Sequence, residues 1–185
     1  MNERSFGKGK ITVKTIIPAT RPANSDDAKM ISHVLAKCCK EIYKGIIDDD
    51  CLDALAPNTW TSYLDAGLRE GSLFSIVMEE DDEMIGVAVL RETEYRQEVE
   101  LVSIYLLPEH IGKGLGAQLY REVEARCRAL GYTSCVLEII DGNNRATEFY
   151  RECGFSITGG THTADFEHGL GTFRVFGMRK HYAAQ

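Results

Sequence analysis

Hydrophobic and polar positions change period along the chain, and each change marks an element. Ile11 to Ile17 alternate well enough for a first strand, closed by Pro18, behind a polar, glycine-containing lead-in over residues 1–9. Met30, Ile31, Val34, Leu35 and Cys38 recur at helical spacing. They predict a helix from a cap at Asn24 or Ser25 to about Tyr43, with those five residues inward. Asp48-Asp49-Asp50 opens a short helix, Cys51 to Ala56, which Pro57 stops. Another runs from Thr59 to Glu70, where Gly71 suits the left-handed position beyond a helix.

Leu73 to Met78 reads as a strand, Glu79 to Glu83 as an acidic turn, and Met84 to Leu90 as the returning strand of a hairpin. Val99 to Leu107 follows as a strand. A helix from Gly116 to Leu130 carries Leu115, Leu119, Val123, Cys127 and Leu130 on one stripe, and Gly131 ends it. Thr133 to Ile140 is almost continuously apolar, which predicts a central strand covered on both faces. Asn144 to Cys153 is a short helix ended by Gly154. Phe155 to Thr158 and Thr172 to Met178 are final strands around a glycine-rich loop. The order predicts a mixed sheet with helices on its faces, in a single domain over residues 1–185 without repeats or linkers.

Between the strand ending at Leu107 and the next helix stands Gly112-Lys113-Gly114-Leu115-Gly116-Ala117. Alternate glycines allow a sharp turn with bare N–H groups, and the helix adds its unpaired first-turn donors and positive dipole end. That combination binds phosphate. Taken literally it also satisfies the dinucleotide fingerprint, with Glu138 about 20 residues beyond. Three features oppose a dinucleotide fold. Pro108 to Ile111 separate the strand from the first glycine; Glu98, Glu100 and Ser103 are unusual in a buried parallel strand; and the unit starts past the middle of the chain.

Three blocks in order carry a more specific resemblance. They are Leu106-x-Pro108 followed by Gly112-x-Gly114-x-Gly116; Val136-Leu137-Glu138; and Asn143-Asn144-x-Ala146-x-x-Phe149-Tyr150-x-x-x-Gly154-Phe155. Together they resemble the GCN5-related N-acetyltransferase (GNAT) family across residues 98–155, about a third of the chain. One position departs: Ile111 stands where the family usually has Gln or Arg, which removes a side-chain phosphate contact and leaves the backbone donors.

The resemblance implies an α/β (α+β) fold with a largely antiparallel sheet of six to seven strands and about four helices. It implies acetyl-CoA as acyl donor, no metal, and an N-acetyltransferase acting on a primary amine by direct attack. The N–H groups of Gly112, Lys113, Gly114, Leu115, Gly116 and Ala117 would hold the pyrophosphate, and the Lys113 side chain could add charge. The backbone of Ile104, Tyr105 and Leu106 would pair with the pantetheine arm, with the Leu106 N–H donating to the thioester carbonyl. Asn143 would bond the same arm, and Tyr150 would protonate the departing thiolate. An alkyl amine is mostly protonated near neutral pH, so a base is needed. Glu100 and Glu138 both qualify. Glu138 is the odder residue, because it interrupts an apolar run.

Composition narrows the partners. With 44% hydrophobic residues, 26% charged and a formal charge of −7, the chain reads as a globular enzyme or binding domain, and no nucleic-acid partner held through phosphates is expected. The charge mildly favours a cationic small molecule among amine acceptors, which also include peptides. No signal-type or membrane-length apolar run occurs, and the six cysteines form no CxxC pair, so reduced, mostly buried thiols and a cytoplasmic location are expected. A homodimer is compatible. Weaker signals are His162, Asp165, Glu167 and His168 in the late loop and Asp48 to Asp50, which could border the acceptor. Tyr43 and Trp60 could do the same or fill the core, and Arg145 and Arg151 could reach the cofactor's ribose phosphate but read first as solvated helix cations. The alternative from another class is an acyl-CoA-binding sensor without turnover.

Overall fold

The structure is a computed structural model that describes residues 18–166 and 171–182. The expected strand over 11–17 lies outside those residues. β1 (Ala19–Pro22) begins after Pro18, and a turn capped by Asn24 leads into α1 (Ala28–Ile42). α2 (Asp49–Asp53) and α3 (Thr61–Glu70) follow, with Gly71 at φ 78° closing α3. Then come β2 (Leu73–Glu80), β3 (Glu83–Glu92), β4 (Glu98–Leu106), α4 (Leu115–Ala129), β5 (Ser134–Ile140), α5 (Asn144–Glu152), β6 (Ser156–Phe166) and β7 (Gly171–His181). Asp81 and Asp82, both at positive φ, form the tight turn between β2 and β3.

Among the described residues the strands form one seven-stranded sheet, ordered β1-β2-β3-β4-β5-β7-β6. Every neighbouring pair is antiparallel except β4–β5. A dinucleotide fold is thereby excluded, since the strand before the glycine loop is antiparallel to β3. One core fills the face under α1, α2 and α3, with Ile31, Leu64, Val77 and Val87 buried in it. The other lies under α4 and α5 and holds Leu90, Leu119, Leu137 and Met178.

Several outward positions differ from expectation. Met30 is 50% exposed, because the buried stripe of α1 runs through Ala28, Ile31, Leu35 and Cys38 and leaves Met30 to one side. Leu130 is exposed as well, lying beyond the last turn of α4. Cys51 is exposed in the acidic α2, whereas Cys38, Cys39, Cys127 and Cys135 are buried. The late glycine-rich segment is largely strand. β6 continues through Gly159 and Gly160 to Phe166 by a register shift between Thr158 and His162, which the positive φ of Gly159 accommodates.

Candidate functional site

The site starts where β4 and β5 part. They pair for three residues only, Glu98↔Ser134, Val99↔Cys135 and Glu100↔Val136. Beyond that point β4 stays with β3 as far as Leu106↔Gly86, and β5 stays with β7 as far as Ile140↔Val175. An extra residue in β4, Val102 between the Leu101↔Leu90 and Ser103↔Val89 pairs, bends the strand at the divergence. The Leu107 N–H donates to the Ile85 carbonyl at 2.8 Å. Antiparallel pairs alternate, so Tyr105 and Ser103 also turn their backbone toward β3, while Ile104 and Leu106 turn theirs toward the open edge. Of the three residues expected to present backbone there, Tyr105 therefore does not. Its side chain lines the cavity instead, and its hydroxyl lies 2.9 Å from that of Tyr43.

A cavity of about 350 Å³ fills the gap. The glycine loop forms its mouth. Gly112 and Gly114 have φ of 81° and 78°, a region costly to side chains, and Gly114 is the N-cap of α4 without a side-chain cap. Helix geometry leaves the N–H groups of Leu115, Gly116 and Ala117 without intrahelical acceptors. Gly116 serves closeness rather than φ: a Cβ there would sit 3.4 Å from Phe149 Cε2 on α5. Backbone donors, bare glycine surface and a free strand edge fit a phosphate-bearing ligand with an extended arm. Ile111 adds only apolar lining, and the exposed Lys113 lies off the lining. Leu115 packs against the α4 and α5 core, leaving its backbone as its contribution.

α5 supplies Asn143 and Tyr150. Asn143, 7% exposed, caps the helix by accepting from the Ala146 N–H at 3.1 Å, so its –NH₂ is what it offers the cavity. Tyr150 is 8% exposed and held edge-on between Phe149 and Phe155, with ring centroids at 5.2 and 5.5 Å. Arg145, expected in solvent, lines the rim.

The two glutamates separate. Glu100 accepts from Arg91 Nη2 at 2.6 Å and Nε at 2.9 Å and does not line the cavity. Glu138 does line it. Alternation along β5 puts Glu138 on the α1–α3 face with Ile140, whereas Tyr150 approaches from the α4–α5 face. The cavity thus passes through the sheet at the split, with one candidate proton acceptor and one candidate proton donor on opposite sides.

Trp60 belongs to the core, and its backbone N–H donates to Ser32 Oγ; Tyr43 both packs in the core and lines the cavity. Among the described residues no three His, Cys, Asp or Glu side chains are placed to share a metal; Glu167 and His168 lie outside those residues. Neither the β4 bulge nor the Cys38 Sγ–H that donates to the Leu106 carbonyl at 3.2 Å was foreseen, since both depend on pairing between distant segments.

A sheet split between β4 and β5, with a phosphate-type loop at its mouth, defines an acyl-CoA-dependent acyltransferase scaffold. The family model of the GNAT acetyltransferases matches residues 40–155. An uncharacterized N-acetyltransferase of Mycobacterium bovis is 31% identical over 118 residues, covering 59% of this chain and 75% of that protein. An L-methionine sulfoximine/L-methionine sulfone acetyltransferase of Pseudomonas paraeruginosa is 31% identical over 102 residues, covering 53% of this chain and 59% of that protein. Among solved structures, the PaiA N-acetyltransferase of Thermoplasma acidophilum in complex with coenzyme A superposes with a TM-score of 0.71 at 21% identity, covering 90% of this chain and all of that one. The chain belongs to the GNAT acetyltransferase family.

Proposed function

We propose that the protein transfers an acetyl group from acetyl-CoA to a primary amine by direct attack within a ternary complex. The observation that carries this is the placement of Glu138 and Tyr150 on opposite sides of one cavity whose mouth is the glycine loop. The N–H groups from Gly112 to Ala117 hold the pyrophosphate, and the open edge at Ile104 and Leu106 takes the pantetheine arm as an added strand. The Leu106 N–H donates to the thioester oxygen as negative charge grows on it. Glu138 accepts a proton from the incoming ammonium, and Tyr150 gives one to the departing thiolate. Glu100 is the weaker choice of base, because Arg91 already holds its carboxylate.

Acceptors of the same chemistry include small amines, amino acids, polyamines and peptide amines. The test is thiol release from acetyl-CoA across such a panel, with aminoglycosides included. Release with at least one amine, and acetylated product by mass spectrometry, is the expected result. Tight acetyl-CoA binding with no release from any amine would instead leave a sensor.

A further inference from the structure

Glu138 has a partner that no part of the proposed chemistry yet uses. His162 Nε2 on β6 lies 2.8 Å from Glu138 Oε1 on β5, with all of β7 between the two strands. Strands two places apart in a sheet are about 9–10 Å from each other, so only two long side chains leaning together can meet. They also need an empty register position to cross. Glu138 stands directly opposite Gly177 on β7, which puts no side chain on that face, and His162 stands opposite Val175, two residues along. A Cβ on Gly177 would lie 2.9 Å from Thr158 Oγ1. The register shift between Thr158 and His162 is what brings the imidazole to this position.

We propose that His162 is the positioning residue for Glu138. Its Nε2–H donates to Oε1 and holds the carboxylate at the cavity, leaving Oε2 to take the proton from the ammonium as the N–H bond breaks. The nearby cation on β7 does not compete: Arg174 Nη2 donates to Thr161 Oγ1 at 2.9 Å and lies 3.6 Å from Asp141. Both members of the pair are solvent-accessible, at 53% for His162 and 40% for Glu138. Exposed pairs of this kind add little to folding stability, so orientation of the carboxylate is the consequence that matters.

The inference rests on Glu138 acting as the base, and the test separates the two. His162→Ala and His162→Gln are compared with the wild type using the best amine of the panel. The Gln side chain can offer an N–H in place of Nε2 but cannot act as an imidazole. His162→Ala should lower kcat by about 10- to 100-fold, the scale of a misplaced catalytic group. Acetyl-CoA affinity and melting temperature should stay at wild-type values, and His162→Gln should recover kcat to within a few fold. Wild-type kcat in His162→Ala overturns the proposal, as does a His162→Gln variant as slow as Ala. Wild-type kcat in Glu138→Gln overturns the underlying assignment of the base and this proposal with it.

Discussion

The Tyr43 and Tyr105 hydroxyls meet at 2.9 Å, joining the end of α1 to the C-terminal end of β4 at the cavity wall. Both rings are buried, so this bond ties the end of α1 to the strand whose Leu106 N–H is proposed to donate to the thioester oxygen. Tyr105→Phe removes it. A net loss of about 0.5–1.5 kcal/mol is expected, lowering the melting temperature by a few degrees. The KM for the amine should rise while acetyl-CoA affinity holds. Calorimetry and steady-state kinetics check both, and a higher KM for acetyl-CoA would place this pair on the donor side instead.

Gly114→Val places a β-branched residue at φ 78° in the cap of α4. The loop must distort or bear strain of about 1–3 kcal/mol. Titration calorimetry should show CoA binding weakened by at least about tenfold. Unchanged affinity would remove the loop from the cofactor site.

Tyr150→Phe keeps the ring between Phe149 and Phe155 and deletes only the hydroxyl. Turnover should drop by about 10²–10⁴-fold with CoA affinity near wild type. A rate equal to wild type would show that the thiolate takes its proton from elsewhere.

Glu138→Gln and Glu100→Gln should diverge. The first should lose kcat without losing stability. The second breaks the ion pair with Arg91, which is 39% exposed against 24% for the glutamate, and should lower the melting temperature while largely sparing kcat. The reverse pattern would move the base to β4.

Burial pushes the Cys38 and Cys135 thiols up to about 12 and those of Cys127 and Cys153 up to about 11, from an ordinary 9.0. Burial and the hydrogen bond to Glu92 push Tyr132 up to about 12 from 10.0. Above pH 9 the unfolded chain therefore releases protons that the folded chain keeps. Stability is full below that pH and declines as pH rises through the folded values. Melting temperatures under reducing conditions should fall steadily from pH 9 upward, and Cys135→Ala should lessen the slope. A flat profile would contradict thiol burial.

The contiguous parts of the site were legible before any fold was known. Gly112, Gly114 and Gly116 impose their turn through local backbone preferences, and the spacing from Asn143 to Tyr150 is set by one helix. Glu138 was visible as a carboxylate in an apolar run. The sequence left Glu100 and Glu138 equal, because each is a strand glutamate near the loop. Arg91 on β3 separated them by holding one of the two. β6 was expected to stop at Thr158, since Gly159 and Gly160 resemble a loop unless pairing with β7 holds them extended.

By itself, then, the sequence determined the helices and the turn of the glycine loop, because short-range periodicity and backbone preference act within a few residues; acetyl-CoA as donor came from the resemblance of its three motif blocks to the GNAT family. Tertiary structure alone decided where β4 and β5 part, which glutamate meets the cavity, and that His162 reaches Glu138 over Gly177. Each of these depends on the register between strands far apart in the chain. A shift of one residue in that register would turn every one of these side chains to the other face.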